Sequence, residues 1–339
     1  MRVSDKTTVR NYLKYLEQAK TNYAETNARI ASGNRFVRIS YDVSAGTRVL
    51  RTRTDLSKTQ EYYDNVKSIN DGLSVTEDAL KSINDILSDV QSKKITKAMS
   101  DSTGEAGRKA LANEVKALKE EILQFANTKY GNKYVLGGSS AKIAPFSVGT
   151  DGKLLYNGID VNNIIYDNTD GRYYDKLTNK LVPMDSDIYA DIGLGLRMVG
   201  SDIESDTAFK VSYSGLEILG FGENSDGMPN NIFNMLTNIE KCMRDGDMET
   251  LGKYGDILIE TTDSFRALLT DIGAKTNFLD TVEARINSNI DSYKNQLNNL
   301  MGINDAEEAK NQTMNDYVLK AVLQMGSKIL PVTLMDFLN

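Results

Sequence analysis

Apolar side chains recur along most of this chain in alternating steps of three and four, the spacing that turns one helix face toward a partner. Val66, Ile69, Leu73, Thr76, Leu80, Ile83, Leu87 and Val90 form one such seam, and Leu111, Val115, Leu118, Ile122 and Phe125 form a second. Between them Asp101, Ser102, Thr103 and Gly104 supply residue types that end a helix. The third seam is the longest. It steps from Leu251 through Tyr254, Leu258, Thr261, Phe265, Leu268, Ile272, Lys275, Leu279, Val282, Ile286, Asn289, Tyr293, Gln296 and Leu300 to Ile303, with twelve of its sixteen positions apolar. At 1.5 Å per residue it predicts a helix roughly 80 Å long, so the pattern reads as a coiled-coil-like rod rather than a compact helical core.

Both chain ends carry shorter stripes. Val9, Leu16, Tyr23 and Ile30 are spaced by seven, and Val318, Val322, Met325 and Ile329 step by four, three and four. Each is too short and too polar to hold a helix by itself, because helical stability in proteins comes mostly from packing of the apolar face. The two ends are therefore expected to pair with each other or with neighbouring subunits, which makes these eight residues the candidate subunit interface.

The middle of the chain breaks the pattern. Residues 141–225 hold ten of the 25 glycines and the turn-rich runs SVGTDG, YNGID, DNTDGRYY and ADIGLGL. The four prolines fall at 145, 183, 229 and 331, leaving 1–144 and 230–330 free of a residue that costs about 3 kcal/mol inside a helix. The fold class expected is mainly α, with both ends of the chain building a long helical bundle and a β-rich segment inserted between them. The hairpin signals YVLGG and LLYNG suggest that the insert leaves and rejoins the helices near one point.

Composition narrows the chemistry. The 339 residues include no His, no Trp and a single Cys. Without His there is no Ser-His-Asp or Cys-His site and no HExxH metal helix. One Cys forms neither an internal disulfide nor a thiolate zinc cluster. YDNTDG resembles part of an EF-hand loop through Asn168, Asp170 and Gly171, but its first and twelfth places would be Tyr166 and Leu177, which supply no carboxylate. Asp185 and Asp187 read as solvated loop carboxylates, and Cys242 as a small buried or interfacial residue. No catalytic residue, metal ligand or cofactor site is expected.

Charge adds an asymmetry. The whole chain carries −7, yet residues 1–58 hold twelve Lys/Arg against five Asp/Glu. No basic block exceeds two consecutive residues, so this arm reads as a solvated or interfacial helix face rather than a nucleic-acid site. No apolar run exceeds three residues, so membrane insertion is not expected, and the first twenty residues lack the apolar core of a secretory signal.

Several segments carry a resemblance. IASGNRFVRISYDVSAG, from Ile30 to Gly46, is similar to the SGxRxxxxSDDPAG signature of the flagellin family. Asn70, Gly72 and Leu73 follow, and then a run like the family's aNtxxxGxYlFgG at Asn127, Thr128, Gly131, Tyr134, Gly137 and Gly138. Pro145–Phe146, Asp151–Gly152 and Tyr156–Asn157–Gly158 match the hairpin beyond it. Gly273–Ala274, Asn277, Leu279 and the stretch Asp305 to Ala309 resemble the family's C-terminal helices. The opening MRVS and closing TLMDFLN look like its hook-associated branch rather than the filament subunit. Tyr41 and Val43 depart from the pattern, standing where the family has Asp and Pro, so the bend there is expected to differ.

The resemblance implies an inner layer from residues 1–45 and 303–339, a helical bundle from 46–138 and 227–302, and a β-rich surface domain at 139–226. It implies a structural subunit of the bacterial flagellum outside the cell, an adaptor ring between hook and filament that supports motility. The partners implied are further copies of the chain, other hook-associated proteins and flagellin, with the flagellar type III export apparatus and an export chaperone on the way out. A filament subunit is the alternative. An enzyme on a flagellin scaffold is a weaker one, since a metalloprotease insert would need the His residues this chain lacks.

Overall fold

The computed structural model describes residues 2–36, 38–139, 142–150, 152–169, 171–183, 188–199, 202–204 and 207–335. Among the described residues eight α-helices carry the fold: α1 Arg2–Ser32, α2 Val43–Asp89, α3 Thr96–Ala98, α4 Glu105–Ala126, α5 Gly215–Leu219, α6 Ile232–Asp245, α7 Met248–Met301 and α8 Asp305–Met335. Two units emerge, one from residues 1–60 with 287–339 and the other from 61–286.

In the second unit the helical seams are the core. All eight positions from Val66 to Val90 are buried, as are Leu111, Val115 and Ile122 on α4. Beyond Val90 the backbone widens into a π-helical segment, Val90–Ile95, and the next buried residue is Ile95, five positions on. A step of five would turn an α-helical side chain well past the seam; the wider turn absorbs the extra residue and keeps the apolar face on its partner.

That partner is α7, running antiparallel. Asn70 donates to Asp280 at 2.7 Å, and Arg266 donates to Asn84 at 3.3 Å and to the Ser88 hydroxyl at 3.2 Å. Further along, Gly255 lies close to Ile95 and Gly252 close to Met99. Leu251, Tyr254, Leu258, Phe265, Ile272, Leu279, Val282 and Ile286 are buried. The even three-and-four register does not hold throughout. Thr262 is buried where the sequence pointed to Thr261, Ile290 where it pointed to Asn289, and Leu297 rather than Gln296 is part-buried. A helix of 3.6 residues per turn drifts about 20° per heptad against a 3.5 repeat, which over five heptads amounts to one residue and accounts for Ile290 and Leu297, though not for Thr262.

Helices α4 and α6 pack side by side. Lys119 is buried between them, donating to Glu240 at 3.3 Å and to Thr237 at 3.1 Å, with its amine over the Phe233 ring. Asn231 caps α6 and is fully satisfied: its carbonyl oxygen accepts from the Phe233 and Asn234 amides, and its amide donates to the Leu219 and Gly220 carbonyls. This buried polar residue therefore fixes the turn without a desolvation penalty.

The insert is a set of small antiparallel sheets. A hairpin, β1 Lys129–Tyr130 with β2 Lys133–Tyr134, comes first. A three-stranded meander follows, β3 Phe146–Val148, β4 Leu154–Tyr156 and β5 Ile159–Asp160. Next are the pair β6 Ile164–Asp167 with β7 Arg172–Asp175, and then β8 Tyr189–Ala190 paired with β11 Phe209–Lys210. The last pair is β9 Met198–Val199 with β10 Asp202–Ile203. Its entrance and exit meet, because Gly137 bridges Ser214 and the Gly215 amide donates to the Leu136 carbonyl at 3.1 Å.

Asn127 fastens the insert to the end of α4. Its side chain donates to the Phe146 carbonyl at 3.0 Å and accepts from the Phe146 amide at 3.1 Å, copying a strand partner's pairing. The Phe146 ring lies 5.1 Å from Tyr156, and both rings press on Gly215. Asn234 on α6 accepts from the Leu154 amide, so the meander shares a core with the helices rather than folding apart from them.

Candidate subunit interface

The first unit brings the two ends of the chain together. Among the described residues, those buried on α1 are Tyr12, Ala19 and Thr26, spaced by seven, and those on α8 are Glu308 and Gly326. The Arg29 guanidinium meets Glu308 at 3.5 Å, Gln312 donates to Asn27 at 3.0 Å, and Asn315 donates to the Thr26 hydroxyl at 2.8 Å. The Tyr12 ring lies against Gly326. Contacts fall along α1 as they rise along α8, so the helices are antiparallel. Small and polar side chains make this seam, with hydrogen bonds where an ordinary helix pair would have Leu on Leu.

The eight stripe residues from the sequence lie beside that seam, not on it. Val9, Leu16 and Tyr23 are half-buried and Ile30 is exposed; Val322 and Ile329 are half-buried, Val318 and Met325 exposed. Scanning for apolar spacing found the flanks, set Ala19 only on the adjoining surface, and missed Tyr12, Thr26 and Gly326. The seven-residue spacing of Tyr12, Ala19 and Thr26 was the available signal, three positions beyond the apolar line.

On α8 the flank is partly exposed among the described residues. Met314 is 63% exposed, Val318 40% and Met325 57%, and with Val322 and Ile329 they line one side of the helix. Each such side chain that a neighbour fully covers contributes about 1.5–3 kcal/mol. Charges of both signs flank it: Glu17 is exposed among the α1 bases, and Lys310, Lys320 and Lys328 are exposed on α8. Lys6, Arg10, Lys14 and Lys20 are exposed on α1, while Asp305 and Glu307 are exposed in the first turn of α8.

The segment between α1 and α2 is tied down by the residues that depart from the family pattern and by their neighbours. The Tyr41 hydroxyl donates to Glu25 on α1 at 3.1 Å. Asp42 meets Arg35 at 2.8 Å and caps α2 by accepting from the Ala45 amide at 2.9 Å. Phe36, Ala45 and Val49 form a small core with Leu297, Leu300 and Met301. Val43 opens α2 with its side chain exposed.

Chemistry is sparse. Among the described residues no group of three or more His, Cys, Asp or Glu is placed to hold a metal ion, and no helix is long and apolar enough to cross a membrane. Asp170, Asp185 and Asp187 lie outside the described residues. Cys242 is buried on α6, and burial, reinforced by Asp247 and Asp245, pushes its thiol above the ordinary range.

Residues 3–141 match the model of the bacterial flagellin N-terminal helical region. The chain is 20% identical over 307 residues to flagellar hook-associated protein 3 of Escherichia coli strain K12, covering 86% of this chain and 92% of that protein. Among solved structures, a putative flagellar hook-associated protein from Vibrio parahaemolyticus superposes with a TM-score of 0.55 at 15% identity, over 77% of this chain and all of that one. Flagellar hook-associated protein 3 from Legionella pneumophila is similar over 74% of this chain and 98% of its own, at 17% identity and a TM-score of 0.49. The Vibrio likeness shows the fold, a mainly helical chain with long helices at both ends and a small β insert. In sequence the chain resembles the flagellin N-terminal helical region over residues 3–141 and flagellar hook-associated protein 3 over most of its length.

Proposed function

We propose that this chain is a structural subunit of the bacterial flagellum, an adaptor at the hook–filament junction that assembles through α1 and α8. The observation that carries the reading is the exposed apolar line on α8, set beside a seam of small and polar side chains that already joins the two chain ends. A pair of helices built that way is complete enough to form and too weakly buried to be its own final state. A second copy of the chain covers the line, and its basic α1 surface meets the acidic first turn of α8. In this role the residues 1–45 and 303–339 form the inner layer, the bundle and insert stand outside it, and no catalytic step is required. The relatives it matches are named as flagellar hook-associated proteins, which supports a place beside other hook-associated proteins and flagellin. Passage through the type III export apparatus with a chaperone, to a position outside the cell, belongs to the same reading.

The test is where purified protein goes on isolated hooks. Labelled protein should collect at the hook tip and allow flagellin to polymerise beyond it. Long free filaments grown from the pure protein would favour the filament-subunit alternative instead. Binding nowhere on the hook would sink both.

A further inference from the structure

We propose that Met314 and Met325 form a peroxide-sensitive modification site whose oxidation blocks assembly, a proposal that rests on the assembly reading above. The two residues are eleven positions apart, three helical turns, so they share one line of α8 about 16 Å apart. Their side chains are 63% and 57% exposed, with Val318 and Val322 between them and Ile329 one turn beyond. Two thioethers thus sit within the apolar line, Met314 at its start and Met325 near its far end, open to solvent in the free chain.

The chemistry needs no catalytic group. The sulfur lone pair attacks one oxygen of a peroxide, the O–O bond breaks and an S–O bond forms. Sulfur loses two electrons to the peroxide, whose other oxygen takes up a proton and leaves as water or an alcohol. The sulfoxide is polar where the thioether was apolar. A neighbour covering it with Val, Ile or Met would strand an acceptor oxygen without a donor, which penalises the contact. Once a second copy covers the line, the sulfurs are shielded, so the site responds only before assembly. Met235 and Met243 in the other unit are fully buried, whereas Met99 and Met198 in that same unit are exposed. The last two serve as internal references for oxidation that should not affect assembly.

The full chain is treated with graded hydrogen peroxide, the oxidised methionines are located by peptide mass spectrometry, and self-association is followed by sedimentation. Oxidation of Met314 and Met325 should raise the concentration needed for assembly about tenfold or more, in line with an unpaired polar group at an apolar contact. The double variant Met314→Leu with Met325→Leu should assemble normally and keep assembling after peroxide, although Met99 and Met198 are still oxidised. In preassembled protein Met314 and Met325 should be protected and Met198 not. Equal assembly of oxidised and untreated chains, or a Leu variant as sensitive as the parent, overturns the proposal while leaving the assembly reading intact. An untreated chain that never self-associates, alone or on hooks, overturns both.

Discussion

The Tyr12 hydroxyl fills the space that a side chain on Gly326 would need. A Cβ at position 326 would meet the Tyr12 ring, so that ring has to shift for any larger residue there. Gly326→Ala should overpack the site and cost about 1–3 kcal/mol. Hydrogen exchange on α1 and α8 would read it as faster exchange in both helices, with the 61–286 unit unchanged. Equal protection in parent and variant would mean the two helices part without consequence.

The drift of the long seam gives a sharper mutational contrast. Ile290→Ala should cost about 2–5 kcal/mol, the range for truncating a buried aliphatic side chain. Asn289→Ala, one residue away and exposed, should stay within about 0.5 kcal/mol. Thermal melts of the two variants decide the matter. Similar shifts would restore the unbroken three-and-four register.

Asn127 should be worth more than its exposure suggests. Asn127→Ala removes both bonds to the Phe146 backbone, leaving an amide and a carbonyl unsatisfied at a cost of about 1–3 kcal/mol each if water does not replace it. Limited proteolysis should then cut first near residues 139–146. Asn127→Asp keeps the acceptor and loses the donor, so its cleavage should be intermediate.

The Cys242 thiol, buried and shifted upward, should react with a thiol reagent at neutral pH far more slowly than free cysteine. Adding denaturant should accelerate the reaction in step with loss of helical signal. Fast labelling of the native chain would show that α6 opens locally.

Much of the helical architecture was readable before any coordinates. All eight positions of the Val66–Val90 seam are buried because the interior of a helix pair rewards apolar periodicity directly. The interface of the chain ends was only half legible. Its seam uses Ala19, Thr26 and Gly326, which stand out on no hydropathy scale and matter through closeness and hydrogen bonding. The insert, too, was legible in its turns and in the meeting of its ends, whereas its shared core depends on Asn127 and Asn234, whose importance lies in which backbone groups they reach. Tyr41, at the position where the sequence pattern implies a different bend, donates its hydroxyl to Glu25, a bond the shorter, acceptor-only Asp carboxylate cannot donate.

The widened turn at Val90–Ile95 also bears on ancestry. One residue beyond the regular step is housed there at the expense of a local bulge, and everything downstream keeps its facing. A relative in which α2 continues as plain α-helix through this point should align with a single-residue gap between positions 90 and 95, and with none in the seam on either side. The bulge would then mark where an insertion was absorbed by backbone shape, so that neither α4 nor α7 had to change in response.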